Sequence, residues 1–356
     1  MNPLASLVAE ARVIVCCGSG GVGKTTTAAV LGREAARAGR RAVVVTIDPA
    51  RRLADALGLP GGLTGEPQQL PVDGAPGELW ATMLDTPAMF ERVVRRHAES
   101  PEQADRVVAN PFFGNVAGAL GGTQEYMASE ALYELHADPR FDLVVVDTPP
   151  SRHALDFLEA PGVLTRFLTH PLFKMMMLPT RTGLRVVGVA TQPLLKAVGR
   201  VVGSDVLADT VAFFQAFAGM EQGFRTRAEE VAGLLRDDGT RFVLVASPQP
   251  DAVAEAAWFA DQLSARGFTV AATVVNRLQP TFGLAADASV PTSVDGPAGA
   301  AWRNLAELLA RAQAERAALA PLSGDGRPPL VEVPRLAGDV HGPDTLDALA
   351  VAMFGR

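Results

Sequence analysis

Gly18-Ser19-Gly20-Gly21-Val22-Gly23-Lys24-Thr25-Thr26 directly follows the apolar run Val13-Ile14-Val15-Cys16-Cys17. The order is a buried strand, a glycine-rich turn, and a helix opening at Lys24 or Thr25. Glycine lets the backbone take positive φ and curl its N–H groups around an anion. The N-terminus of the following helix adds about half a positive charge. Lys24 has the reach to meet β- and γ-phosphates, and the Thr25 hydroxyl suits Mg²⁺. Gly20, Gly21, Val22, Gly23 and Thr26 complete the cradle. A chance glycine turn would require neither the strand before nor the helix after. The stretch predicts a site for a nucleoside triphosphate.

Working outward, short β-branched runs recur at Arg12–Cys17, Ala42–Ile47, Leu79–Leu84, Leu143–Val146, Phe242–Ala246 and Thr269–Val275. Runs apolar on both faces belong in a parallel sheet. Helical stretches such as Thr25–Ala38 and Ala252–Ala265 alternate with them. The predicted fold is therefore α/β, a doubly wound and mostly parallel sheet, with ligands beyond the carboxyl ends of its strands. Two stretches break the rhythm with helix-forming sequence. The expected organisation is one phosphate-loop domain over 1–356, its core at about 10–85, 141–154 and 237–356. A helical subdomain would occupy about 86–140 and 155–236. Leu59-Pro60-Gly61-Gly62, Gln68 to Gly77 and Pro321 to Pro329 read as surface loops.

Hydrolysis needs a metal shell and a positioned water. Leu143-Val144-Val145-Val146-Asp147 ends an apolar strand in a carboxylate, which predicts that Asp147 holds Mg²⁺ through a water. The alternative is an aspartate capping the next helix. Val43-Val44-Val45-Thr46-Ile47-Asp48 ends the strand about one βα unit after the phosphate loop, so Asp48 is the candidate for orienting the attacking water. Its alternative is a turn aspartate before Pro49.

Composition narrows the partners. With Lys+Arg 32 against Asp+Glu 39 the net charge is −7, and the arginine pairs are short and scattered, so no nucleic acid is expected. Cys16 and Cys17 point to opposite faces of one strand and should stay reduced in the core. The first residues lack a secretory pattern and no apolar run is long enough for a bilayer, which predicts a cytoplasmic protein.

These residues together resemble the ArsA family of deviant Walker ATPases, which includes arsenite-pump ATPases and the guided-entry ATPase for tail-anchored membrane proteins. The loop, Asp48-Pro49-Ala50, and Asp147-Thr148-Pro149-Pro150-Ser151-Arg152-His153 match its loop and two switches in order. Thr123-Gln124-Glu125-Tyr126-Met127 falls where the family has a short acidic motif. Val274-Val275-Asn276-Arg277-Leu278 resembles its base-recognising strand end, and Val333-Pro334-Arg335-Leu336 its base-side loop. The wording of Gly122–Met127 and Ala154–Pro161 is most similar to an actinobacterial branch. The resemblance implies an ATP-hydrolysing dimer whose nucleotide state moves a protein client or partner. It implies Lys24 and Asp48 as catalytic, and Asn276, Arg277 and Pro334 as nucleotide contacts, with Asn276 on the adenine edge.

Three departures matter. The family's loop has lysine where this chain has Ser19, and that lysine reaches the nucleotide of the opposite subunit. Either a related partner in a heterodimer donates it, or Arg51, Arg52 or Arg152 substitutes in a homodimer; a low-turnover regulatory subunit is the companion reading. Arg152 also stands where the second switch has glycine. Finally, no cysteine lies outside Cys16 and Cys17, so arsenite thiolates, a zinc CxxC and cluster ligands are all missing. A hydrophobic client could lie on Leu172–Leu178 and Val211–Phe217, or those segments simply pack the helical subdomain. A membrane would be met only through the client. A partition or division-site ATPase shares the loop but usually carries a basic face or an amphipathic tail; Thr345–Arg356 has Arg356 alone as a basic residue.

Overall fold

A computed structural model describes residues 2–48, 52–111, 113, 122–169, 209, 212–213, 215–285 and 296–355. The side chains of 151–153 and 167 lie outside that set. The chain divides into two compact units, one formed by Met1–Met83, Leu135–Ala154 and Arg236–Arg356, the other by Leu84–Glu134 and Leu155–Leu235.

The first unit is built on an eight-stranded sheet. In chain order its strands are β1 Val13–Gly18, β2 Arg41–Thr46, β3 Gln68–Leu70, β4 Glu78–Met83, β5 Leu143–Asp147, β6 Thr240–Ala246, β7 Val270–Leu278 and β8 Leu330–Pro334. Their spatial order is β3-β4-β2-β5-β1-β6-β7-β8. All pairs are parallel except β3 with β4. β1 and β5 are buried along their whole length, as expected for valine-rich strands covered on both faces. The chain leaves β1 toward β2 on one side, whereas β6 and β7 extend the sheet on the other. The phosphate loop therefore sits where the strand order reverses.

Two strands lie outside the runs expected to be strands. Gln68–Leu70 opens the expected surface loop Gln68–Gly77, yet pairs antiparallel with β4. It is too short for alternation to register, and Pro71 ends it at the sheet edge. Leu330–Pro334 pairs with β7, and its closing proline is tolerated because the strand is an edge.

Helix Lys24–Arg37 lies against the sheet, and its Gly32 marks the closest approach. A Cβ there would stand 2.5 Å from Val44 Cγ2 and 3.0 Å from Leu79 Cδ1. The carboxyl-terminal helix Pro343–Phe354 is tied to the same helix by charge. Asp347 accepts from Arg33 at 2.8 Å and from Arg37 at 2.6 Å.

The described part of the second unit is helical, with helices Thr86–His97 and Pro101–Val108 complete within it. Its core gathers Phe90, Val93, Val94, Phe113, Tyr126, Met127, Phe213, Phe217 and Phe224. Phe90 stacks on Phe113 with ring centres 4.8 Å apart, and Phe217 meets Phe224 at the same separation. Phe213 and Phe217, offered above as part of a client surface, are thus core residues here. The companion segment Leu172–Leu178 lies outside the described residues. The motif Thr123–Met127 also contributes core, through Tyr126 and Met127. Glu130 is fully buried, accepts the Tyr126 hydroxyl, and faces Arg227 Nε at 3.5 Å. Burial pushes its carboxyl pKa up.

Gly32→Ala tests the helix–sheet contact. Overpacking costs about 1–3 kcal/mol, more than the roughly 1 kcal/mol alanine gains by helix propensity. The urea midpoint should fall; an unchanged or higher midpoint would mean the helix is free to move off the sheet.

Candidate functional site

The carboxyl ends of β1, β2, β5 and β7 supply the site. β1 ends at Gly18, whose φ of 151° accompanies contact with β6: a Cβ there would strike the Val245 carbonyl oxygen. The loop then curls through Gly21 and Gly23, with φ of 76° and 102°. Gly23 stands just before the helix beginning at Lys24, and its own Cβ would strike Asn276 Nδ2. Only glycine fits either place. Gly20 and Val22 complete the turn, while Thr25 and Thr26 are the second and third residues of the helix.

Lys24 is buried and donates its Nζ to the Ser19 carbonyl at 2.7 Å, so the ammonium spans the loop. Desolvation lowers its pKa, partly offset by the nearby charges of Asp147 and Asp48. Ser19 Oγ itself is buried without a hydrogen-bond partner.

Register places Asp147 opposite Cys16 of β1 and Thr46 of β2. Its Oδ2 accepts the Thr25 hydroxyl at 2.8 Å and the Thr46 hydroxyl at 3.0 Å. Oδ1 is buried without a hydrogen-bond partner. Burial is the main cause pushing the Asp147 pKa up to about 6; the two hydroxyls and Lys24 pull the other way, and Asp48 adds to the rise. The Thr46 hydroxyl also accepts the Asp48 backbone N–H at 3.3 Å. Asp48 is partly exposed and pairs with Arg52 at 3.4 Å. Thus Lys24, Asp48 and Asp147 lie within electrostatic reach of one another.

Thr46 was not among the sequence candidates. Its signal was present, as the one hydroxyl in Val43-Val44-Val45-Thr46 just ahead of an aspartate. Thr148 is a second such case: its hydroxyl donates to the Cys16 carbonyl at 2.7 Å and ties the start of the second switch to β1. Both cysteines are free and buried, with Cys17 pushed up to about 12 chiefly by desolvation, so they are inert core thiols.

On the far side, Asn276 Nδ2 donates to the Val22 carbonyl at 3.0 Å, and Arg277 Nη1 donates to the Gly21 carbonyl at 2.9 Å. Pro334 pairs with Leu278 at the end of β8. A cleft of about 570 Å³ opens beside the loop, lined by Ser19, Gly21, Gln249, Arg277, Glu315 and Arg335 among others. Of the three arginines proposed to replace the family's lysine, Arg52 is the one whose side chain is described, and it faces Asp48.

An orphaned buried carboxylate oxygen beside a threonine hydroxyl suits a hard divalent cation, which takes oxygen donors. Asp147 and Thr25 therefore fit Mg²⁺. Among the described residues there is no cluster of His, Cys, Asp and Glu that would form a separate metal site.

A family model described as an anion-transporting ATPase matches residues 11–283. Protein Rv2184c of Mycobacterium tuberculosis is 31% identical over 353 residues, covering 96% of this chain and 74% of that protein. ATPase GET3 of Malassezia globosa is 33% identical over 156 residues, 44% of each chain. ATPase get3 of Schizosaccharomyces japonicus is 28% identical over 229 residues, 64% of this chain and 62% of that one. The match thus spans less than half the length of the Malassezia protein and about three quarters of the mycobacterial one. No described helix is long and apolar enough to cross a membrane.

Thr46→Val is nearly isosteric and leaves Asp147 Oδ2 with one hydroxyl. Loss of a hydrogen bond to a buried carboxylate should cost about 1–3 kcal/mol, read from urea unfolding at pH 8. The folded pKa of Asp147 lies above the unfolded value. Its contribution to stability is therefore most favourable below pH 3.8, declines as pH rises toward about 6, and is flat above. The gap between wild type and Thr46→Val should narrow as pH falls through 6. A gap that widened would show that the hydroxyl serves the protonated acid.

Proposed function

The chain belongs to the anion-transporting ATPase (ArsA) family, and from that premise we propose that it is a Mg²⁺-dependent ATP-hydrolysing switch. The observation that carries the metal and water roles is Asp147 Oδ1, buried and unpartnered next to the Thr25 hydroxyl. A carboxylate held so far from water is costly unless a cation completes it. Thr25 and Asp147, the latter through a water, would hold the magnesium. Bound there, Mg²⁺ supplies charge neutralisation at the phosphate oxygens.

The chain's own residues do the remainder. Gly20 to Thr26 present backbone N–H groups to the phosphates. Lys24 exchanges the Ser19 carbonyl for a phosphate oxygen, and its partial desolvation makes that charge-assisted bond stronger. Asp48, partly exposed at the end of β2, orients the attacking water. Asn276, Arg277 and Pro334, at the carboxyl ends of β7 and β8, are assigned to the nucleotide as well. The helical second unit is proposed to respond to nucleotide state and to couple it to a hydrophobic protein client or partner.

Assembly follows from Ser19. A homodimer would bring two loops without the family's lysine. A heterodimer with a related lysine-bearing ATPase would bring one such lysine. The absence of that charge supports a second reading, a low-turnover regulatory subunit. Single-turnover hydrolysis by the purified chain, with and without a lysine-bearing relative, separates the two.

The test of the catalytic assignment pairs two variants. Lys24→Ala should remove ATP binding measured by calorimetry. Asp48→Asn should keep binding within a few-fold yet slow phosphate release by about 10²–10⁴-fold. Wild-type turnover in Asp48→Asn would remove Asp48 from the chemistry.

A further inference from the structure

We infer that Thr46 is a positioning residue for the attacking water: its hydroxyl fastens the Asp48 backbone to the Asp147 carboxylate. On the ATPase reading above, on which this inference rests, the link keeps the two acidic groups of the site in register.

A hydroxyl has one proton to give and lone pairs with which to accept. In Thr46 both are used. The proton goes to Asp147 Oδ2 at 3.0 Å, and the oxygen accepts the Asp48 N–H at 3.3 Å. The polarity of this chain of bonds is fixed, because an ionised carboxylate only accepts and an amide N–H only donates. One side chain therefore connects the carboxylate assigned to the metal with the residue assigned to the water.

The place of Thr46 suits it to that task. It is the last residue of β2, 2% exposed, and stands opposite Asp147, itself 1% exposed. β2 and β5 stay bonded one step further, where the Ile47 N–H donates to the Asp147 carbonyl at 3.1 Å. Beyond that the strand pairing ends, and the Asp48 N–H turns back two residues onto the Thr46 side chain. A hydroxyl that takes the amide two residues on replaces a ladder bond with a turn. It thus sets the direction in which the chain leaves the sheet at Asp48. Threonine is branched at Cβ, so its χ1 is stiff and the hydroxyl keeps its aim.

The Asp48 side chain has a looser hold. Its carboxylate pairs with Arg52 at 3.4 Å, and the Arg52 side chain is 65% exposed. Exposed ion pairs fix a geometry weakly. Thr46, being buried, offers the firmer anchor. That matters for a group that orients water, because a misplacement of about 1 Å can cost roughly 10²-fold in rate.

Two comparisons isolate the hydroxyl: wild type against Thr46→Val, and Thr46→Ser against Thr46→Ala, all at pH 8, above the pKa of Asp147. Amide hydrogen exchange at Asp48, read by NMR on ligand-free protein, should quicken about tenfold when the hydroxyl is lost, as one hydrogen bond implies. The Kd for ATP with Mg²⁺, from calorimetry, should stay within about threefold. The single-turnover rate at saturating ATP should fall by about 10–10²-fold, and Thr46→Ser should keep it within about threefold of wild type. In an Asp48→Asn background Thr46→Val should cost less than about threefold more, because the group it positions is already gone. The same loss in both backgrounds would overturn the inference. So would unchanged exchange at Asp48, or a rate loss matched by an equal loss of affinity. If Thr46→Val fails to fold, the serine and alanine variants carry the same comparison. Wild type taking up no ATP, or Asp48→Asn turning over at the wild-type rate, would instead overturn the reading beneath, and the exchange result alone would then decide the link.

Discussion

The structure of the site depends on one carboxylate held out of water. Asp147 ends β5, the central strand between β1 and β2, and its Oδ2 gathers one hydroxyl from the helix after the phosphate loop and one from β2. Two consecutive elements, that helix and β2, are thereby tied to a strand far along the chain through a single atom. Burial alone would protonate such a group, and its pKa does rise to about 6. The two hydroxyls and the Lys24 ammonium offset part of that rise. What they leave unserved is Oδ1, the atom to which the proposed magnesium role is assigned.

That carboxylate is useful only if the loop keeps its shape, and the loop is shaped by what surrounds it. Gly18 is pressed against the Val245 carbonyl of β6 and Gly23 against Asn276 of β7. The glycines are therefore required on the protein side of the loop as well as for the anion. β6 and β7 act as a wall, and the extra residue in β7 converts that wall into a pair of hydrogen-bond donors. Without a wall, a chain of glycines would sample many conformations, and binding would have to order them at the moment of contact.

Much of this arrangement could be read from the amino acids. A six-residue buried strand followed by glycines and Lys24 specifies the loop because few other structures need that order. The valine run ending in Asp147 likewise specifies a central parallel strand with a carboxylate at its functional end. Other parts were less accessible. β3 has three residues between prolines, too few to show a period. Thr46 looks like one more β-branched strand residue until register sets it opposite Asp147. Asn276 and Arg277 carry no sequence mark of their hydrogen bonds to the loop carbonyls. Those contacts come with a bulge, which is a property of two paired strands.

Ser19 leaves the site with a charge problem that its neighbours define. Among the described residues, three cations near the loop are held by oxygens: Lys24 by the Ser19 carbonyl, Arg52 by Asp48, Arg277 by the Gly21 carbonyl. A triphosphate competes best for Lys24, whose partner is a neutral carbonyl and whose ammonium is partly desolvated. Arg52 is tied to the carboxylate proposed to orient the water, so moving it toward phosphate would expose Asp48 to the repulsion of a second anion. Arg277 can leave the loop only by releasing the Gly21 carbonyl. Among these three, then, Lys24 is the cation that reaches the phosphates at least cost to the rest of the site. The proposed pairing with a lysine-bearing relative would add a further positive charge without dismantling the loop.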